Sequence, residues 1–276
     1  MTLAGVTLVL SGGGAKSAAH IGAARALAEA GLLPLRYVAT SMGAVIAAAL
    51  AGGADRDRLL AGLGEVGRTG VVKDPLAFIR GLFARSLLRP APFREAVGRL
   101  VPARRFDQLA VPVTVTVTDL DTGQLLLFGA GGEDAPLLDV LCASCALPLY
   151  YPPVSLGGRR CGDGGLRGPL PLEVAAAFAR ETVVAVDVGP GFDVSEPPPP
   201  GAPPVVRAHD DAVGALMAQA TAAQLALWRG DASRPPLIYV RPKVERAATF
   251  RVDRVRQYAE DGYVAAREAL ASMPRP

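Results

Sequence analysis

Gly5-Val6-Thr7-Leu8-Val9-Leu10 runs into Ser11-Gly12-Gly13-Gly14-Ala15-Lys16-Ser17, and an alanine-rich stretch to Gly31 follows. A short apolar run closed by glycines reads as a buried strand. The stretch from about 16 to 30 reads as a helix, with Gly31 placed as its C-cap. The pattern then repeats: a strand near 36–40 leads through Thr40-Ser41-Met42-Gly43 into Ala44-Val45-Ile46-Ala47-Ala48-Ala49-Leu50, which reads as a buried helix. Such a β-α-β-α unit implies parallel strands joined by right-handed crossovers. The chain is therefore expected to be a layered α/β protein and not a helical bundle.

The rest of the chain extends this sheet. Val111-Pro112-Val113-Thr114-Val115-Thr116-Val117-Thr118 alternates as a strand, and Gln124 to Phe128 follows it across an Asp-Thr-Gly turn. A helix is expected at 136–145. Thr182 to Val188 reads as a buried parallel strand. Residues 189–204, with Pro197 to Pro200 and further prolines at 203 and 204, read as an exposed irregular loop. A helix at about 208–230, a strand at 237–241 and a helix at about 252–271 finish the same sheet. From about 55 to 107 the apolar residues fall at helical spacing (Leu59, Leu60 and Leu63; Phe78, Ile79, Leu82 and Phe83; Phe93 and Val97), and this stretch is expected to cover the sheet. One domain spanning 1–276 is the expected organisation.

Half of the 276 residues are hydrophobic, enough for a sizeable core. The net charge of +3 is small and the basic residues are scattered, which argues against nucleic acid as a partner. No apolar run approaches the ~18 to 20 residues of a transmembrane helix. The N-terminus lacks the basic start and cleavage site of a signal peptide, so the protein is read as cytoplasmic. Three cysteines make a disulfide framework improbable in such a chain. Cys142-Ala143-Ser144-Cys145 has C-x-x-C spacing with Cys161 as a third candidate ligand, but no second pair accompanies it and His209 lies far away. No metal is expected on that ligand count.

A serine at a strand-to-helix turn is a candidate nucleophile when small residues flank it, as in G-x-S-x-G. Ser41 sits in the variant A-x-S-x-G, with Ala39 and Gly43 as the flanking residues. The plainer alternative is a serine that caps a helix. The glycine loop fails as a Walker A motif, which would need glycines at positions 10 and 15. It also fails as a G-x-G-x-x-G loop, where Ser17 stands at the third glycine. Its bare N–H groups at the start of a helix suit a transient oxyanion instead, cradled by Gly12, Gly13, Gly14, Ala15 and Lys16; a tight turn is the alternative. Asp163, in Cys161-Gly162-Asp163-Gly164-Gly165, would by itself mark only a turn. A serine nucleophile requires a base. His20 and His209 are the only histidines and neither has a motif around it, so a Ser41–Asp163 pair is the economical proposal.

Together these pieces resemble the patatin-like phospholipase family, especially its short bacterial members, over most of the chain. The family's oxyanion motif G-G-G-x-[RK]-G and following H-x-G are matched by Gly12-Gly13-Gly14-Ala15-Lys16 and His20-Ile21-Gly22. Its elbow is matched by Ser41-Met42-Gly43 and its D-G-[AG] by Asp163-Gly164-Gly165. Its A-S-x-A-x-P stretch is matched by Ala143-Ser144-Cys145-Ala146-Leu147-Pro148. The resemblance implies a three-layer α/β/α sandwich with a mainly parallel sheet. It also implies a Ser41–Asp163 dyad and hydrolysis of fatty-acyl esters of phospholipids or lysophospholipids without metal or cofactor. Ser17 and Ala39 depart from family glycines; a non-catalytic lipid- or protein-binding relative with a decayed site is the second reading. The segment 72–88, apolar at helical spacing with Lys73, Arg80 and Arg85, is a candidate for peripheral membrane association.

Overall fold

The structure, a computed structural model, describes residues 4–70, 86–191, 203–245 and 251–272. Eight strands form one mixed sheet: β1 (Ala4–Leu10), β2 (Leu32–Thr40), β3 (Val113–Asp119), β4 (Leu125–Gly129), β5 (Val154–Leu156), β6 (Arg159–Asp163), β7 (Val183–Val186) and β8 (Leu237–Val240). Their order is β5-β6-β3-β2-β1-β7-β8, with β4 also paired to β3. β3, β2, β1, β7 and β8 are mutually parallel, while β4, β5 and β6 add antiparallel pairs at one end.

Period-two alternation assigns the two faces. Val6, Leu8 and Leu10 of β1 enter one core together with Val113, Val115 and Val117 of β3 and Val184 and Val186 of β7. Val9, Val38, Val183 and Ala185 point into a second core on the opposite face. The first core is covered by α1 (Ala18–Glu29), α2 (Met42–Ala51), α3 (Arg56–Gly70), α4 (Pro90–Leu100), α5 (Leu137–Ser144) and α8 (Val255–Ala271). The second is covered by α6 (Leu172–Phe178) and α7 (Pro204–Gly230). Helices on both faces make the expected three-layer α/β/α sandwich.

Several local features differ from the sequence reading. The β5–β6 hairpin and α6 are additional elements, both short. α7 starts at Pro204, inside the expected irregular loop, because proline at the first helical position loses no hydrogen bond. The apolar and basic residues at 72–85 and the prolines at 197–200 lie outside the described residues. Within 55–107 the described part does form helices α3 and α4. Gly22, from the H-x-G stretch, lies where α1 meets α8: a methyl there would sit 1.7 Å from the Ala259 carbonyl oxygen.

The register around β3 positions the site. β4 runs along one edge of β3 over Thr114 to Thr118. β2 pairs with Val113 to Thr116 and β6 with Val117 to Asp119, so both must share the other edge. β2 is parallel to β3 and β6 is antiparallel, so the two run toward each other along one lane. Their C-terminal residues, Thr40 and Asp163, are opposite Thr116 and Val117. This brings together two segments more than a hundred residues apart in the chain.

Candidate active site

Ser41 follows the last residue of β2 and occupies the N-cap position of α2, with φ 54° and ψ −135°. A non-glycine residue at positive φ is strained, and the strain lifts the side chain out of the strand direction. The hydroxyl makes no capping bond to α2. Ser41 Oγ instead donates to Asp163 Oδ2 at 2.8 Å, which removes the simple capping explanation for this serine. The turn is sharp because Gly43 lets the first turn of α2 lie on the end of β1. A methyl group there would be 2.3 Å from the Ser11 carbonyl oxygen.

Asp163 is held on three sides. Its second carboxylate oxygen, Oδ1, accepts the Gly165 N–H at 2.7 Å, its carbonyl accepts the Thr118 hydroxyl at 2.8 Å, and its N–H donates to the Ala146 carbonyl at 3.0 Å. Gly164 packs directly on β3, where a methyl would be 2.4 Å from the Thr116 carbonyl oxygen. The threonines alternating with valines on β3 supply hydroxyls on the dyad side of the sheet; Thr116 and Thr40 share a 2.6 Å hydrogen bond. Burial raises the Asp163 pKa from 3.8 to about 6, against the lowering effect of the Gly165 N–H and the Ser41 hydroxyl. Such a carboxylate is ionised at neutral pH yet is a stronger base than one in water.

The glycine loop lies against the serine: a methyl on Gly12 would be 3.0 Å from Ser41 Cβ. Gly12 itself is not a free donor, because its N–H is committed to the Pro169 carbonyl at 3.0 Å. Of the five residues expected to cradle an oxyanion, Gly12 therefore has no N–H to offer. Gly13 and Gly14 have no backbone acceptor for their N–H groups among the described residues. Gly14, at φ 59°, opens a 3-10 turn, Gly14–Ser17, that leads into α1, and Gly14 and Ala15 precede its first internal bond. Lys16 is buried at 2 % exposure in this turn, so its charge does not face open solvent.

The two departures from family glycines are both accommodated. Ser17 has φ −61°, an ordinary helical value, so serine is unstrained there. Ala39 is an interior strand residue paired with Leu10 and Val115, and its methyl is part of the core. Ser17 Oγ is buried without a hydrogen-bond partner among the described residues, an arrangement that costs about 1 to 3 kcal/mol. Ser17→Ala is accordingly expected to keep full activity and to raise the melting temperature, which thermal denaturation alongside an esterase assay would check.

Neither histidine hydrogen-bonds to Ser41 or Asp163 among the described residues. His20 is fully buried and its Nε2–H donates to the Ser11 carbonyl at 2.8 Å. Burial lowers its pKa to about 4, so it is neutral at pH 7 and supports the loop from below. His209 contacts Asp210 on α7 at 3.1 Å. Cys142, Cys145 and Cys161 are buried free thiols, and among the described residues no cluster of three potential ligands could hold a metal ion. Ser144 and Cys145 both touch the nucleophile, contacts that their local sequence does not signal: the Ser144 hydroxyl accepts the Ser41 N–H at 2.7 Å, and the Cys145 side chain hydrogen-bonds with Ser41.

The family model described as patatin-like phospholipase matches residues 8–176. An "uncharacterized NTE family protein" of Mycobacterium tuberculosis is 32 % identical over 195 residues, covering 68 % of this chain and 51 % of that protein. Human "patatin-like phospholipase domain-containing protein 6" is 30 % identical over 189 residues, 67 % of this chain but 13 % of its own length. The chain thus spans about half the length of its mycobacterial relative and a small part of the human one. Among solved structures, VipD from Legionella pneumophila superposes with a TM-score of 0.47 at 15 % identity, covering 97 % of this chain and 67 % of that one. The match from the glycine loop through the aspartate motif covers more than half of the sequence, and the chain belongs to the patatin-like phospholipase family.

Proposed function

We propose that the protein is a serine acyl hydrolase that cleaves fatty-acyl esters of phospholipids or lysophospholipids, with Ser41 as nucleophile and Asp163 as base. The 2.8 Å hydrogen bond from Ser41 Oγ to a buried carboxylate carries this reading. Asp163 takes the hydroxyl proton as Ser41 Oγ attacks the ester carbonyl, and the oxyanion that forms is held by the N–H groups of Gly13 and Gly14. The N-terminus of α2, directly behind Ser41, adds favourable potential. Protonated Asp163 returns the proton to the departing alcohol, leaving an acyl-Ser41 ester. Asp163 then accepts a proton from water as the water attacks that ester, and returns it to Ser41 Oγ as the fatty acid leaves. The cycle needs no redox partner and no metal.

Membership of a phospholipase family, and the same word in the human relative's name, support a lipid ester as substrate. Among the described residues no helix is long and apolar enough to cross a membrane. The accommodated Ser17 and Ala39 favour an active site over a decayed one.

A base with a pKa near 6 sets the pH dependence. Below that value Asp163 is protonated and cannot accept the serine proton. We expect kcat/KM for a p-nitrophenyl acyl ester to rise about tenfold per pH unit below 6 and to level off above it. A rate that is flat through pH 5 to 7 would remove Asp163 as the base.

A further inference from the structure

The stretch Ala143-Ser144-Cys145-Ala146-Leu147-Pro148 has no part in the chemistry above, yet it touches both members of the dyad. Ser144, the last residue of α5, is fully buried. Its hydroxyl accepts the Ser41 N–H at 2.7 Å and donates to the Thr116 carbonyl at 2.8 Å. Two residues on, the Ala146 carbonyl accepts the Asp163 N–H at 3.0 Å.

The sheet explains why such a clamp is needed. β2 stops pairing with β3 at Thr116 and β6 begins at Val117, so the lane is interrupted where the dyad sits. Backbone groups facing that gap lose their ladder partners, and an orphaned buried N–H or carbonyl costs about 1 to 3 kcal/mol. The Ser144 hydroxyl, donor and acceptor at once, satisfies one group of each kind. It does so at a residue whose φ of 54° must be held by its surroundings.

We infer that Ser144 is a positioning residue for the nucleophile: its hydroxyl ties the Ser41 backbone to β3 across the gap and keeps the strained turn aimed at Asp163. The inference rests on the proposed role of Ser41. The Ser144 hydroxyl also occupies the Ser41 N–H, so that group is not among the donors proposed for the oxyanion.

The test compares Ser144→Ala and Ser144→Cys with the wild type in hydrolysis of a soluble p-nitrophenyl ester, with the Ser41 amide resonance followed by NMR. Alanine leaves both backbone groups unpaired. We expect kcat to fall about 10²-fold, the loss typical of a misplaced reacting group, with KM unchanged and the pH midpoint still near 6 because Asp163 keeps its burial. Cysteine, a weaker donor and acceptor of similar shape, should fall between alanine and wild type, and the Ser41 amide proton should move upfield in the same order. A role in packing alone would leave the cysteine variant at wild-type kcat. A folded alanine variant with wild-type kcat overturns the inference. If that variant does not fold, a cysteine variant with wild-type kcat and an unmoved Ser41 amide overturns it, and a tenfold or greater loss supports it. Failure of the wild type to hydrolyse the ester would instead count against the proposed function, while the amide shift would still report on the clamp.

Discussion

Ser41→Ala is expected to lower hydrolysis of a p-nitrophenyl acyl ester by about 10³-fold or more, and Asp163→Asn by a comparable factor, with the double variant little worse than either. In the proposed mechanism the two side chains, joined by a single 2.8 Å hydrogen bond, act as one unit, so removing either would remove the unit. Their effects on stability should differ. The folded pKa of Asp163, about 6, lies above its ordinary 3.8. The aspartate therefore favours folding while protonated, below about pH 4, and loses that contribution as the pH rises through 6. At pH 8 it is a buried charge whose burden on the fold is on the order of 3 kcal/mol. Asparagine can still accept from the Gly165 N–H without that charge, so Asp163→Asn should melt higher than wild type at pH 8, with the difference shrinking toward pH 4. Thermal melts at both pH values would check this. Retention of most activity by the Ser41 variant would dismantle the dyad.

Gly43→Ala is expected to lower both activity and stability although it touches no substrate. The added methyl would lie 2.3 Å from the Ser11 carbonyl oxygen and 2.8 Å from that of Leu10, and neither backbone atom can swing away as a side-chain end could. The first turn of α2 must lift off β1, carrying Ser41 with it. Overpacking of this kind costs about 1 to 3 kcal/mol, and a displacement near 1 Å at the nucleophile about 10²-fold in rate. A variant with wild-type kcat and an unchanged melt would show that the elbow tolerates the extra volume.

Much of this architecture was legible from residues 5–50, because apolar runs punctuated by glycine specify buried strands and the helices after them. Val113 to Thr118 was equally clear, with valine filling one core and threonine facing the other side. The short elements were not. β5 has three residues and α6 seven, too few for a period to emerge, and they persist by pairing and packing alone. In the site, Ser41 and Asp163 stood out as residue types in turns, but their contact depends on two strands meeting head to head on β3, a register that no local pattern encodes. The same limit hid Ser144, whose hydroxyl matters only because the lane beside β3 is interrupted. It also hid the commitment of the Gly12 N–H to Pro169, a residue from a distant loop. Burial, which raises the Asp163 pKa, arises from the assembled layers and not from the glycines on either side of it.

The most direct test of the dyad is the mass of the protein after treatment with an active-site-directed fluorophosphonate, followed by peptide mapping. A strained serine hydrogen-bonded to a buried carboxylate, with free N–H groups alongside, should react with the reagent. A single adduct is expected on the peptide containing Ser41, formed more slowly below pH 6 and absent from Ser41→Ala. No adduct on the folded wild-type protein, or an adduct on a different residue, would contradict it.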